Sequence, residues 1–172
     1  MKRIAIIAEN SSYGGISTYC ISMCKQFKEN NINYLLIIPI EDRIENVWIR
    51  NEALKFDIRF EELKLNSTFE LGAIFRLIKL LIKFNISIIH TNGYRFNTIL
   101  RIVRLVSIFS LKSYKHITTV HGIIKKKFLP LTLRERFYIF LDYSLSFMNS
   151  HTIAVSNFTK KELCTTIFFN KL

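Results

Sequence analysis

Arg3-Ile4-Ala5-Ile6-Ile7-Ala8-Glu9-Asn10-Ser11-Ser12-Tyr13-Gly14-Gly15-Ile16 stands just behind the initiating Met1-Lys2, and its pattern changes twice. Ile4 to Ala8 is an apolar run without helical period, as expected of a strand covered on both faces. The polar, glycine-bearing loop from Glu9 to Gly15 follows. From Ile16 the apolar residues Tyr19, Cys20, Met23, Cys24 and Phe27 recur at spacings of three and four, which predicts an amphipathic helix ending near Asn30-Asn31. A buried strand, a tight loop and a helix in that order form the opening unit of a parallel α/β sheet.

The same unit recurs down the chain. Further strands are expected at 34–38, stopped by Pro39, and at 57–63, 86–89, 117–120 and 152–155. Helices are expected at 47–54, 69–84, 97–110 and 133–148, with a last one from Asn157 onward capped by Ser156. Six strands alternating with helices predict an α/β fold: a Rossmann-like, doubly wound parallel sheet of about six strands in one domain. The apolar end Ile167-Phe168-Phe169 has no later element to cover it.

Composition agrees with a globular domain. The 172 residues are 49% hydrophobic and 22% charged, with 5 Gly and 2 Pro, which excludes disordered, collagen-like and linker-like chains. The 3 cysteines form no paired framework, and Cys20 and Cys24, one helical turn apart, read as reduced, buried thiols of a cytoplasmic protein. The first apolar run is too short for a signal peptide, and charges interrupt every run before the ~18 residues needed to span a bilayer.

Charge is unevenly placed. Net charge is +12, and no acid occurs between Glu70 and Glu135, where 12 of the 25 basic residues lie; the rest of the chain is neutral. Arg76, Lys79 and Lys83 form a stripe on the third helix, and Lys125, Lys126 and Lys127 form a run. The asymmetry fits solvated helix faces or a polyanionic neighbour, such as an anionic membrane surface or phosphorylated small molecules. No motif or aromatic platform for nucleic acid is readable, so no nucleic-acid partner is expected.

In an open α/β sheet, ligands collect at the carboxyl ends of the strands. Four segments there carry candidate chemistry: Gly14-Gly15 at a helix start, suited to an anion; His90-Thr91-Asn92-Gly93-Tyr94-Arg95 after the fourth strand; His121-Gly122 and then Lys125 to Lys127 after the fifth; and Ser156-Asn157-Phe158-Thr159 after the sixth. The spacing of His90, His116, His121 and His151 matches no metal signature, and no metal is expected. Ser156 lacks a nearby general base, so a hydrolytic triad has no support.

Ala8 to Ile16, Ile88 to Gly93, Thr119 to Gly122 and Ala154 to Thr159, taken in order, resemble the amino-terminal half of family 4 glycosyltransferases. These are retaining enzymes of the two-Rossmann-domain GT-B architecture. The resemblance covers residues 1–163 and leaves 164–172 as a tail, read as truncated. It implies a hexosyltransferase-type reaction, with a nucleotide-diphosphate sugar as donor substrate and no separate cofactor. It further implies that Gly14 and Gly15 approach the donor diphosphate, that His121 lies beside the transferred sugar as the catalytic residue, and that His90, Asn92, Gly93, Tyr94 and Arg95 line the acceptor side. The acceptor would be a polysaccharide or lipid-linked glycan at the inner membrane face, where Arg76, Lys79, Lys83 and Lys125 to Lys127 would meet anionic lipid.

The family's second domain, with two glutamates eight positions apart, is not in this sequence. Glu62 and Glu70 have that spacing in the wrong half and read as coincidence. The chain is therefore expected to be half an enzyme, inactive without a second domain: a truncated gene product, or one subunit of a split pair whose donor-side domain is a separate polypeptide. Two other readings remain open at this level. One is a stand-alone dinucleotide or phosphate-binding module using Gly14-Gly15 and Glu41-Asp42; the other is a non-catalytic basic protein of the membrane surface.

Overall fold

The computed structural model describes residues 2–9, 12–41, 47–65, 71–107, 114–121, 140, 144–145 and 150–164. Its elements run β1 (Ile4–Ala8), α1 (Gly15–Glu29), β2 (Tyr34–Glu41), α2 (Trp48–Lys55), β3 (Phe60–Leu65), α3 (Leu71–Lys83), β4 (Ile88–Asn92), α4 (Tyr94–Ser107), β5 (Lys115–Val120), β6 (His151–Ala154) and α5 (Asn157–Cys164). The six strands form one sheet in the order β3-β2-β1-β4-β5-β6, and every pair is parallel. The expected doubly wound α/β fold is therefore present. Of the helix expected at 133–148 only residues 140 and 144–145 are described, and the tail beyond Cys164 lies outside the described residues.

Helices cover both faces, so the sheet has two cores. On one face α1 and α2 bury Cys20, Ile21, Cys24, Ile49 and Ala53 against Ile6, Ala8, Leu36 and Ile38. On the other, α3 and α4 bury Ala73, Leu77, Leu81, Phe96 and Leu100 against Ala5, Ile7, Leu35 and Ile37. Burial of successive residues of β1 and β2 on opposite faces explains why both strands read as continuous apolar runs. Cys20 and Cys24 are free, buried thiols, as expected, and burial pushes the Cys20 thiol up to about 12 and raises that of Cys24 as well.

The first three helices stop by one device. Asn31, Asp57 and Asn85 adopt left-handed φ of 54°, 50° and 50°. The next N–H in each case, from Ile32, Ile58 and Ile86, donates back to Phe27, Ala53 and Leu81 at 2.8, 2.8 and 3.0 Å. These are Schellman stops, in which a polar residue takes the left-handed position and an isoleucine follows it. Each next strand begins two residues after that isoleucine.

Several boundaries differ from the sequence expectation, four of them with a clear physical consequence. β2 continues through Pro39 to Glu41. Leu36 N–H donates toward β3, to Arg59, so the odd positions of β2 face β1; pairing with β1 ends at Ile37, and Pro39 has no ladder bond to lose. β3 starts at Phe60, because Asp57 and Ile58 belong to the helix stop. β4 runs on through Asn92, and α4 starts at Tyr94 rather than Asn97.

Candidate functional site

The strand order reverses between β1 and β4, and their carboxyl ends leave for opposite faces: the chain after β1 enters α1, and that after β4 enters α4. This is the position at which doubly wound sheets hold ligands. The two helix N-termini that meet there differ. At α4 the Glu9 carboxylate, from the end of β1, accepts the Arg95 N–H at 3.3 Å, so an internal anion already sits against the helix dipole. At α1, among the described residues, no side chain caps the helix, the first turn holds no acid, and nothing stands within 4 Å of where a Cβ on Gly14 or Gly15 would be. Ser17 Oγ donates to the Ser12 carbonyl at 2.7 Å and closes the loop from below. Gly14 is extended (φ 168°), so these glycines supply room rather than an unusual backbone angle.

His121 follows β5 directly, as the sequence suggested. Its ring meets the Tyr19 ring of α1 edge-on, at 5.1 Å between centroids and 75° between planes. Burial holds its imidazole below the ordinary value, so it is neutral at pH 7. Nε2 is shielded and has no hydrogen-bond partner among the described residues. A neutral ring nitrogen in that state can donate to or accept from a ligand hydroxyl.

The segment expected as an acceptor loop after the fourth strand is largely not a loop. His90 and Asn92 lie within β4 and are 6% and 0% exposed; Tyr94 and Arg95 open α4, and only Gly93 connects the two elements. The correction has a physical cause. Polar residues inside a strand look like its end, but here partners on the next strand satisfy them. His90 Nε2 shares a 2.6 Å hydrogen bond with Thr119 Oγ1 of β5. Burial, helped by nearby His121, pushes the His90 imidazole down to about 4. Asn92 Nδ2 donates to the Ile7 carbonyl at 3.4 Å. On the opposite face, His116 Nε2 contacts Thr91 Oγ1 at 2.8 Å and Thr118 Oγ1 at 3.2 Å, and burial together with Arg101 and Arg104 pushes it down to about 3.

The register aligns His90 with Ile117, so His90, Thr119 and His121 share the face that α1 covers. His90 thus lies in the layer beneath His121. Glu9, Tyr19 and Thr119 are the site residues that the sequence did not single out. Tyr19 had a signal, since it follows Gly15 by one helical turn; Thr119 shares its parity with His121, and Glu9 had none.

The basic residues divide. Lys79 is exposed, Lys83 pairs with Glu61 of β3 at 3.4 Å, and Arg76 Nε donates to the Lys64 carbonyl at 3.2 Å. Two large apolar side chains accompany them on α3: Phe75, 70% exposed, and Ile82, 59% exposed. Arg101, counted in the sequence among the basic segment, is buried in α4. Lys125, Lys126 and Lys127 lie outside the described residues. Glu62 pairs with Arg50 of α2, and among the described residues no three His, Cys, Asp or Glu converge as metal ligands would.

A family model described as Glycosyltransferase Family 4 matches residues 13–171. Among solved structures, HepE of Anabaena in complex with UDP superimposes with a TM-score of 0.68 at 12% identity, over 94% of this chain and 39% of HepE. The chain thus spans about two-fifths of the HepE chain, and at that identity the likeness concerns the fold. A DEH reductase A1-R′ mutant matches at 14% identity over 86% of this chain and 68% of its own, with a TM-score of 0.46. No curated protein matches the sequence.

Proposed function

Since the chain belongs to glycosyltransferase family 4, we propose that it is the acceptor-side half of an enzyme that moves a sugar from a nucleoside-diphosphate sugar to a polysaccharide or lipid-linked glycan. The observation that carries this reading is the pairing of two features at the strand ends. Among the described residues the N-terminus of α1 is open above Gly14 and Gly15, and a neutral His121, braced by Tyr19 of the same helix, has a shielded Nε2. The first suits a diphosphate, through the backbone N–H groups and dipole of a helix N-terminus. The second suits a sugar hydroxyl.

In this reading the diphosphate lies over Gly14-Gly15, and His121 Nε2 hydrogen-bonds and orients the transferred sugar. The acceptor oxygen forms a bond to the anomeric carbon as the bond from that carbon to the phosphate oxygen breaks, and the acceptor proton passes to the leaving diphosphate with net retention. His121 then contributes position rather than a proton, which accords with an imidazole held neutral. Gly93 and the first turn of α4 are left to face the acceptor, while His90 supports His121 from below. A donor-side domain, continuous with this chain or separate, supplies the rest of the nucleotide grip. The Phe75, Lys79, Ile82 and Lys83 surface of α3 supports a place at an anionic membrane face, where a lipid-linked acceptor would be found.

Titration of the ¹⁵N-labelled chain with inorganic pyrophosphate tests the anion site. The Gly14, Gly15 and Ile16 amide signals should move saturably, and Gly15→Val should abolish the response while leaving the remaining spectrum in place. Movement confined to lysine-rich surface segments would defeat the reading.

A further inference from the structure

We propose that Tyr13 and Trp48 form a stacking platform for a pyranose ring of the acceptor glycan, one or more residues away from the reacting end; this rests on the acceptor-side reading above. Tyr13 belongs to the loop between β1 and α1, and Trp48 is the first residue of α2, which follows β2. Both therefore stand on the carboxyl rim of the sheet, on the face that α1 and α2 cover. Their rings meet edge-to-face at 5.1 Å and 74°. Tyr13 is nevertheless 76% exposed, whereas Trp48 is partly buried against the core beneath α2. The contact fixes the Tyr13 ring and leaves most of it in water.

A large aromatic side chain held rigid in water on a binding rim is suited to a ligand with one apolar flat side and polar edges. A pyranose has that character: its C–H face is covered by the ring while its hydroxyls stay hydrated. Position favours a sugar chain over a nucleobase. Gly14 and Gly15, with open space above them, follow Tyr13 directly, and Tyr19, one turn farther along α1, touches His121. The rim thus runs from His121 past the α1 N-terminus to Tyr13 and Trp48, and a glycan following it lies beside the diphosphate rather than over Gly14-Gly15. A glycan whose terminal residue is at His121 would lay a more distant residue on the aromatic pair.

Trp48 is the only tryptophan in the chain, so its indole N–H gives one resolved signal and its emission reports this site alone. Maltotetraose, triacetylchitotriose and UMP are each titrated into the ¹⁵N-labelled full chain. The expected result is saturable movement of the Trp48 indole signal by at least one oligosaccharide, weakened ten-fold or more by Tyr13→Ala and retained by Tyr13→Phe, whose ring is intact. Movement by UMP and by neither oligosaccharide would overturn the proposal in favour of a nucleobase platform. Oligosaccharide-induced shifts at His121 and Gly93 that leave Trp48 unmoved would overturn the platform and leave the acceptor reading intact. Silence throughout the spectrum with both oligosaccharides would overturn both.

Discussion

The Glu9 carboxylate rests on the bare Cα of Gly93. A Cβ built on Gly93 would overlap Glu9 Oε2 and lie 2.7 Å from Glu9 Cβ, and Gly93 has φ +151°. These residues directly follow β1 and β4, the two strands between which the sheet reverses its order. Glycine is required here on two counts, the backbone angle and the approach of the carboxylate, and the carboxylate in turn covers the first turn of α4 through the Arg95 N–H.

Gly93→Ala should therefore destabilise the fold by about 1–3 kcal/mol, the range for a strained backbone position. Urea unfolding checks it. Adding Glu9→Ala should recover the part due to the clash and leave the part due to φ, so the two changes should be non-additive. Unchanged stability in Gly93→Ala would show that the carboxylate does not occupy this place.

His121→Ala should change stability by less than ~1 kcal/mol, since the ring closes no hydrogen bond among the described residues at Nε2. In an enzyme completed by a donor-side domain it should lower kcat by on the order of 10²-fold, as expected when a positioning contact is lost. Tyr19→Phe should retain activity because the edge-on ring contact survives, while Tyr19→Ala should lose part of it. Normal transfer by His121→Ala would remove the histidine from the mechanism.

Acid should destabilise the protein. His90 and His116 titrate near about 4 and about 3 when folded, against roughly 6.5 for an unfolded histidine. Between those values the unfolded state binds protons and the native state does not, so stability is full above pH ~6.5 and falls as pH drops, through about 4 for His90 and on to about 3 for His116. Each group contributes a slope of up to ~1.4 kcal/mol per pH unit. Urea midpoints at a series of pH values should show the fall, and His90→Gln should make it shallower. A rise in stability on mild acidification would contradict the buried, neutral state of both rings.

Vesicles containing phosphatidylglycerol should bind the chain at low salt and release it at high salt, where the Debye length shrinks to a few ångströms. The double change Phe75→Ser with Lys79→Ser should weaken partitioning by on the order of ten-fold, because it removes one basic charge and the most exposed apolar group of α3. Equal binding to vesicles of phosphatidylcholine alone would leave the charge on this face without a role.

Periodicity along the chain is a local property, and the sequence by itself determined what depends on it. The apolar run of β1, the three-and-four spacing of α1 and the turn residues between them define strand, loop and helix, and their repetition defines a parallel doubly wound sheet. The end of the first helix was legible near Asn30-Asn31, whereas Asp57-Ile58 read as the start of a strand and is a helix stop in the structure. The Ser156 cap was legible too, and Thr159 N–H donates to its Oγ at 3.0 Å. What only the tertiary structure decided is which polar residues face a ligand and which face one another. His90 looked like a loop histidine because its partner, Thr119, stands on a strand that no local pattern pairs with it. Pro39 looked like a strand end because the side on which its missing N–H does no harm depends on where β1 stops. Arg101 looked like surface charge because burial is a property of the packed sheet. The meeting of Glu9 with Gly93, and of Tyr19 with His121, requires the reversal of strand order between β1 and β4 and the register that places β5 beside them. Both are fixed by burial on two faces at once, a condition that exists only in the assembled fold.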